Sequence, residues 1–244
     1  MVAVVERDVT ASGARLRVAD SGSGSSVILL HGLFLDHTTW DGLSRKLSER
    51  HRVIAPDLPG FGASEKPPVS RFSYEVEAFA EAIADLYAAL ELGRAHVVGQ
   101  CLGGAVALVL VDALCETPRL GAFGRLGMMP LVGGFVFKQL WGKNVFRALF
   151  RERLSTAAGN DDAKLEHHYA AFSEPAARLS ALETLRAVQD PRPLVARTPG
   201  VRAPTLVVWG SGDRVVPVSA GKRLAREIPG ARLELLGTGH APQD

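Results

Sequence analysis

Cys101 stands in the run Gly99-Gln100-Cys101-Leu102-Gly103-Gly104. A thiol framed by small residues can sit on a sharp strand-to-helix turn, because no neighbouring Cβ collides with the backbone there. Such a turn holds the sulfur proud, as a nucleophile for an acyl carbon. Other polar residues occupy similar turns. His31-Gly32 follows Val27-Ile28-Leu29-Leu30, Asp213 closes Trp209-Gly210-Ser211-Gly212-Asp213 after Thr205-Leu206-Val207-Val208, and Gly239-His240 follows Leu233-Glu234-Leu235-Leu236. In chain order these supply a nucleophile, an acid and a histidine. A histidine can take the proton of the thiol and return it to a leaving group, while a carboxylate orients it and stabilises its cation.

The elements that must position them are short. The apolar runs read as strands buried on both faces of a parallel sheet, whose sites form at the carboxyl ends of the strands. Asp57-Leu58-Pro59-Gly60-Phe61-Gly62-Ala63-Ser64 ends one more such run, Val53-Ile54-Ala55. Residues 2–20 alternate as an antiparallel hairpin turning at Ala11-Ser12-Gly13. Trp40 to Arg50 and Tyr74 to Leu92 read as amphipathic helices, the second with Ile83, Leu86 and Leu90 on one face. From about Cys115 strand patterns vanish. Residues 124–190 read as helical, and strands resume at Val201.

Taken together, His31-Gly32 with Trp40, Asp57 to Ser64, the cysteine elbow, Trp209 to Asp213 and Gly239-His240 resemble the α/β-hydrolases, from about Val27 onward. The resemblance implies a mostly parallel central sheet with flanking helices, with residues 1–114 and 195–244 as two parts of the core and 115–194 as a helical cap. It implies Cys101, His240 and Asp213 as a triad, with the backbone N–H groups of Leu33 and Leu102 as the oxyanion hole. His31 then supports the oxyanion loop, and Asp57 is structural. Cap aromatics such as Phe135, Phe137, Phe150 and Phe172 either line a pocket or pack the cap's own core. Phe34, Trp141, Phe146 and Tyr169 are expected to contact substrate. The implied chemistry is hydrolysis or transfer of a small ester, thioester or lactone through an acyl-enzyme. The alternative is a hydrolase-fold protein with little or no turnover, whether a ligand-binding module or a truncated or trapped serine-to-cysteine form.

Two family features are missing from the pattern. Only five residues separate Leu102 from Leu108, too few for a helix and a return to a parallel strand. Either Leu108 to Ala113 is itself the next strand, which it resembles, and a helix is lost, or residues 103–114 form the helix and a strand is lost. Ala105, Ala107, Leu108, Leu110 and Ala113 are good helix formers, so the helix is favoured. The chain also ends four residues after His240, where the family adds a closing helix. A net charge of +2 gives no field that would draw nucleic acid or a membrane surface. No apolar run reaches membrane-spanning length, no signal peptide is apparent, and two cysteines make no disulfide framework, which together read as a cytoplasmic protein. The expected partner is a small-molecule acyl substrate, with no cofactor and no metal. The adjacent His167 and His168 should point apart on a helix. The sequence leaves the oligomeric state open.

Overall fold

β1 (Val4–Ala11) and β2 (Ala14–Ser21) form the expected hairpin. Ser12 and Gly13 turn it with φ of 46° and 70°, the left-handed pair that matches the twist of a two-residue hairpin. β3 (Ser26–Leu30), β4 (Arg52–Pro56), β5 (Ala95–Gln100), β6 (Val109–Val111), β7 (Leu206–Gly210) and β8 (Arg232–Leu236) follow. A computed structural model describes residues 2–107, 109–116, 142–150 and 162–243, with Met129, Phe135 and Phe137. Its eight strands lie in the order β1-β2-β4-β3-β5-β6-β7-β8. β2 pairs antiparallel with β4, and all pairings from β4 to β8 are parallel.

β3 is buried at every position, which is why its sequence is a continuous apolar run. α1 (Asp41–Leu47) covers one face of the sheet, above a cluster that includes Val27, Leu29, Trp40, Val53 and Val111. α2 (Val76–Ala89) covers the other, burying Phe79, Ala82, Ile83 and Leu86 at helical spacing. Between β6 and β7 in the chain come α3 (Lys143–Leu149), α4 (Asp162–Ser173), α5 (Pro175–Ala187) and the short α6 (Arg192–Val195), and α7 (Val218–Glu227) joins β7 to β8. Among the described residues no helix is long and apolar enough to cross a membrane.

The expected helix over 103–114 does not form. Gly103–Ala105 makes one 3₁₀ turn, and β6 follows it in parallel with β5, Val98 opposite Val109 and Gln100 opposite Val111. The eight residues from Cys101 to Leu108 suffice because β6 pairs only with the last three residues of β5. The chain need retreat only about 7 Å, at roughly 3.3 Å per strand residue. Valines at 109 and 111 favour extended backbone, and β6 gains partners on both sides, β5 and β7. The sheet keeps its strand and loses the crossover helix. In its place is a largely apolar groove of about 210 Å³, lined by Val76 and Ala80 of α2, Val106, Ala107, Leu110 and Leu224 among others.

Candidate active site

Cys101 is the first residue after β5 and has φ of 53°. This left-handed conformation strains any residue with a Cβ and persists only where its surroundings enforce it. Here the Cys101 N–H donates to the Val111 carbonyl at 3.0 Å, and the Cys101 carbonyl accepts from Leu114 N–H at 3.0 Å. Both clamps come from the β6 strand and its exit. A Cβ on Gly99 would lie 2.0 Å from the Gly103 carbonyl oxygen, and one on Gly103 would lie 2.3 Å from that of Leu30. The turn closes only with glycine at both positions.

His240 reaches this turn from the loop after β8. Its Nδ1 lies 2.8 Å from Asp213 Oδ2, and both side chains are fully buried. The other Asp213 oxygen accepts from the Val215 and Val216 amides at 2.6 and 3.0 Å, so the carboxylate is fixed at both ends. Burial disfavours a charged His240, but the Cys101 sulfur and the Asp213 carboxylate outweigh it and push its pKa up to about 10. His240 Nε2 makes no hydrogen bond among the described residues.

Two residues of this site are absent from the sequence expectations. Gln100 is fully buried, and its Nε2 donates to the His240 carbonyl at 2.9 Å. Asp112 follows β6 with φ of 43° and no exposure. Its Oδ1 accepts from Gly210 N–H at 2.8 Å, while Oδ2 makes no hydrogen bond among the described residues. One ligand atom from each of Asp112, Asp213 and His240 lies within 4.8 Å of the others. Burial pushes the Asp112 carboxyl up to about 7. The signal was present in Val109-Leu110-Val111-Asp112, an apolar run ending in a polar turn residue like the others, and the helical reading of 103–114 hid it.

The loop after β3 borders Cys101, since a Cβ on Gly32 would lie 3.0 Å from the Cys101 Cβ. His31 Nε2 accepts from Leu58 N–H at 2.9 Å, so its Nδ1 carries the proton and donates to the Gly32 carbonyl at 2.8 Å. Burial lowers the His31 pKa further. This neutral, doubly bonded ring positions the loop. Asp57 accepts from the His37 amide, His37 Nδ1 and the Ala63 amide, the satisfied pattern of a structural carboxylate. Leu33 and Leu102 are buried, and neither main-chain N–H donates a hydrogen bond among the described residues.

Of the aromatics expected at substrate, Phe34, Phe146 and Tyr169 come together, with ring centroids 6.5 Å apart for Phe34–Phe146 and 5.5 Å for Phe146–Tyr169. Phe172 joins them, 5.5 Å from Phe34. Trp141 lies outside the described residues. Cys115 is buried, and burial raises its thiol pKa to about 12, the state of an inert core thiol.

The fold is that of a known family. Residues 27–244 match the model of the alpha/beta hydrolase family, and the chain belongs to it. An uncharacterised protein of Mycobacterium tuberculosis is 32% identical over 262 residues, covering 96% of this chain and 75% of the relative. That alignment is longer than the 244-residue chain, so the relative carries residues with no counterpart here. A 2-hydroxymuconate semialdehyde hydrolase of Pseudomonas is 30% identical, covering 98% of this chain and 88% of its own. Among solved structures, an esterase from Thermogutta terrifontis superposes with a TM-score of 0.77 at 23% identity, covering 98% of this chain and 92% of its own, a likeness of fold.

Proposed function

We propose that this α/β-hydrolase transfers acyl groups from a small ester, thioester or lactone to water or another acceptor through a covalent Cys101 acyl-enzyme. The observation that carries the reading is the strained Cys101, clamped by Val111 and Leu114 beside a buried His240–Asp213 pair. Cys101 attacks the acyl carbon, and His240, oriented by Asp213, moves the proton from thiol to leaving group. The Leu33 and Leu102 amides, buried and not otherwise donated, receive the oxyanion. Residues 115–194 form the cap, and Phe34, Phe146 and Tyr169 face the acyl chain. A chain of thioesters, aryl esters and lactones, with a 2-hydroxymuconate semialdehyde for the chemistry of the Pseudomonas relative, should give turnover with at least one class. Active-site titration should return one acyl group per chain on Cys101. Ligand binding without acylation of Cys101 would favour a second reading, a hydrolase-fold binding module. The single 3₁₀ turn after Cys101 is the observation on that side, because it offers less of a helix terminus to the oxyanion.

A further inference from the structure

Outside the Cys101 site, the described residues hold one cluster of metal-ligating side chains in which a buried ligand atom, His168 Nδ1, is left without a hydrogen bond. It joins Asp36, in the loop after β3, to His167 and His168 of α4. The cluster of Asp36, His37 and Asp57 is accounted for by the His37–Asp57 hydrogen bonds, and that of Asp112, Asp213 and His240 belongs to the site already described.

Asp36 is buried and divides its two oxygens. Oδ1 accepts from the Thr38 amide at 3.0 Å and from the Thr38 hydroxyl at 2.5 Å. Oδ2 faces α4, with His167 Nε2 at 2.8 Å and His168 Nδ1 at 3.3 Å. Neighbouring helical side chains diverge, yet these two converge because His167 offers its distal ring nitrogen and His168 its proximal one. The rings stand 5.3 Å apart and 73° from parallel. The three ligand atoms all lie within 4.8 Å of one another.

A plain hydrogen-bonded latch leaves part of this unexplained. His168 is 3% exposed, and its Nδ1 lies 3.3 Å from Asp36 Oδ2 yet makes no hydrogen bond among the described residues. The Phe150 ring, 5.6 Å away, holds the imidazole in that pose. A tetrahedral zinc ion binds imidazole nitrogen and carboxylate oxygen at about 2.0–2.2 Å, which sets neighbouring donors about 3.3 Å apart. Two imidazoles and one carboxylate suit zinc, cobalt or nickel, and do not suit calcium or magnesium, which take oxygen ligands. His167, 53% exposed, leaves a path and a fourth position open to water.

We propose that Asp36, His167 and His168 form a zinc-class transition-metal site that fastens α4 to the loop carrying Leu33 and Phe34. The ion is bound without redox change, and the Thr38 contacts to Oδ1 serve as the outer hydrogen bonds that orient the carboxylate.

The test is a Co(II) titration of the full chain, stripped with chelator, followed by visible absorption and by calorimetry with Zn(II). A Cys101→Ser background removes the thiolate as a competing ligand. One equivalent should bind with the spectrum of tetrahedral cobalt and raise the melting temperature. His167→Ala, at a half-exposed position that the fold does not need, should weaken binding by more than the ~10–100-fold that loss of an outer partner costs. It should also abolish the thermal shift while circular dichroism stays unchanged. Cobalt binding of unchanged affinity in His167→Ala, or no stoichiometric binding at micromolar metal, would overturn the proposal and leave a hydrogen-bonded latch. The readout does not depend on turnover, so its outcome is separate from that of the acyl-transfer reading.

Discussion

Gln100, the residue before the elbow cysteine, donates from its side chain to the main-chain carbonyl of His240 at 2.9 Å, across 140 residues of sequence. One fully buried amide therefore ties the end of β5 to the loop of the histidine. Gln100→Ala should cost about 1–2 kcal/mol of stability, the usual loss for a buried hydrogen bond with an unpaired partner. It should also lower kcat with little change in KM, because the position of His240 and not substrate contact is disturbed. Denaturant unfolding and steady-state kinetics read the two effects. An unaltered kcat would mean that Asp213 alone positions the imidazole.

His240→Ala and Cys101→Ala should each reduce turnover by roughly 10⁴-fold, and the double variant should lose little more, as residues acting in one unit do. Single-turnover kinetics on one activated ester would measure all three. Multiplicative losses would show that the two residues are not partners.

Asp112 makes stability depend on pH. Its folded pKa of about 7 lies above the ordinary carboxyl value of 3.8, so the native state holds a proton that the unfolded chain has released. The contribution is complete below about pH 4 and is lost as pH rises toward about 7. Asp112→Asn keeps an acceptor for the Gly210 amide and cannot ionise. It should flatten that decline, by an amount on the order of 4 kcal/mol at most, at 1.36 kcal/mol per pKa unit. Urea midpoints at about pH 5 and about pH 8 would test the sign. An equal decline in both proteins would remove Asp112 as its source.

Cys115, with its thiol raised to about 12 by burial, should resist iodoacetamide in the native protein at neutral pH and react on unfolding. Cys101 should be alkylated first, and His240→Ala should slow it. Mass spectrometry of the two peptides over time gives both rates. Equal labelling of the two thiols would count against the elbow reading.

The groove where the crossover helix is absent exposes apolar surface beside Ala80 and Ala107. It should bind 8-anilinonaphthalene-1-sulfonate under native conditions and promote self-association. Ala80→Leu, on the exposed side of α2, should cover part of it, reduce the dye signal and add about 0.5–1 kcal/mol of stability. Dye binding that is unaffected by the substitution would place the apolar surface elsewhere.

The sequence carried the sheet because each buried strand is an apolar run ending in a glycine-bearing turn, and the hairpin because Ala11-Ser12-Gly13 supplies turn chemistry. The turns that carry Cys101, Asp213 and His240 were legible for the same reason, each of these being the polar residue of its turn. The segment 103–114 was legible only as a choice between strand and helix, and the helical propensity of Ala105, Ala107 and Leu108, which pairing with β5 and β7 overrides, favoured the wrong one. Gln100 and Asp112 act through partners 140 and 98 residues away, which no local pattern displays. His167 and His168 were expected to point apart, and they do not: their rings stand 5.3 Å apart and both reach Asp36 Oδ2. Their convergence depends on which ring nitrogen each presents to Asp36.

The shortened crossover also bears on how the chain finds its fold. Val98 meets Val109 across a brief connection, whereas β3 must bring Ser26 to Ala95 and β6 must bring Val109 to Leu206. Closing a short loop loses the least chain entropy, and contacts near in sequence form early. The β5–β6 pair has the shortest connection of the parallel pairs and can therefore assemble before the distant strands arrive, as a place from which the parallel sheet grows. Hydrogen-exchange labelling during refolding would find the amides of Cys101 and Leu114 among the first protected. The turn that holds Cys101 would then be among the earliest parts of the molecule to exist.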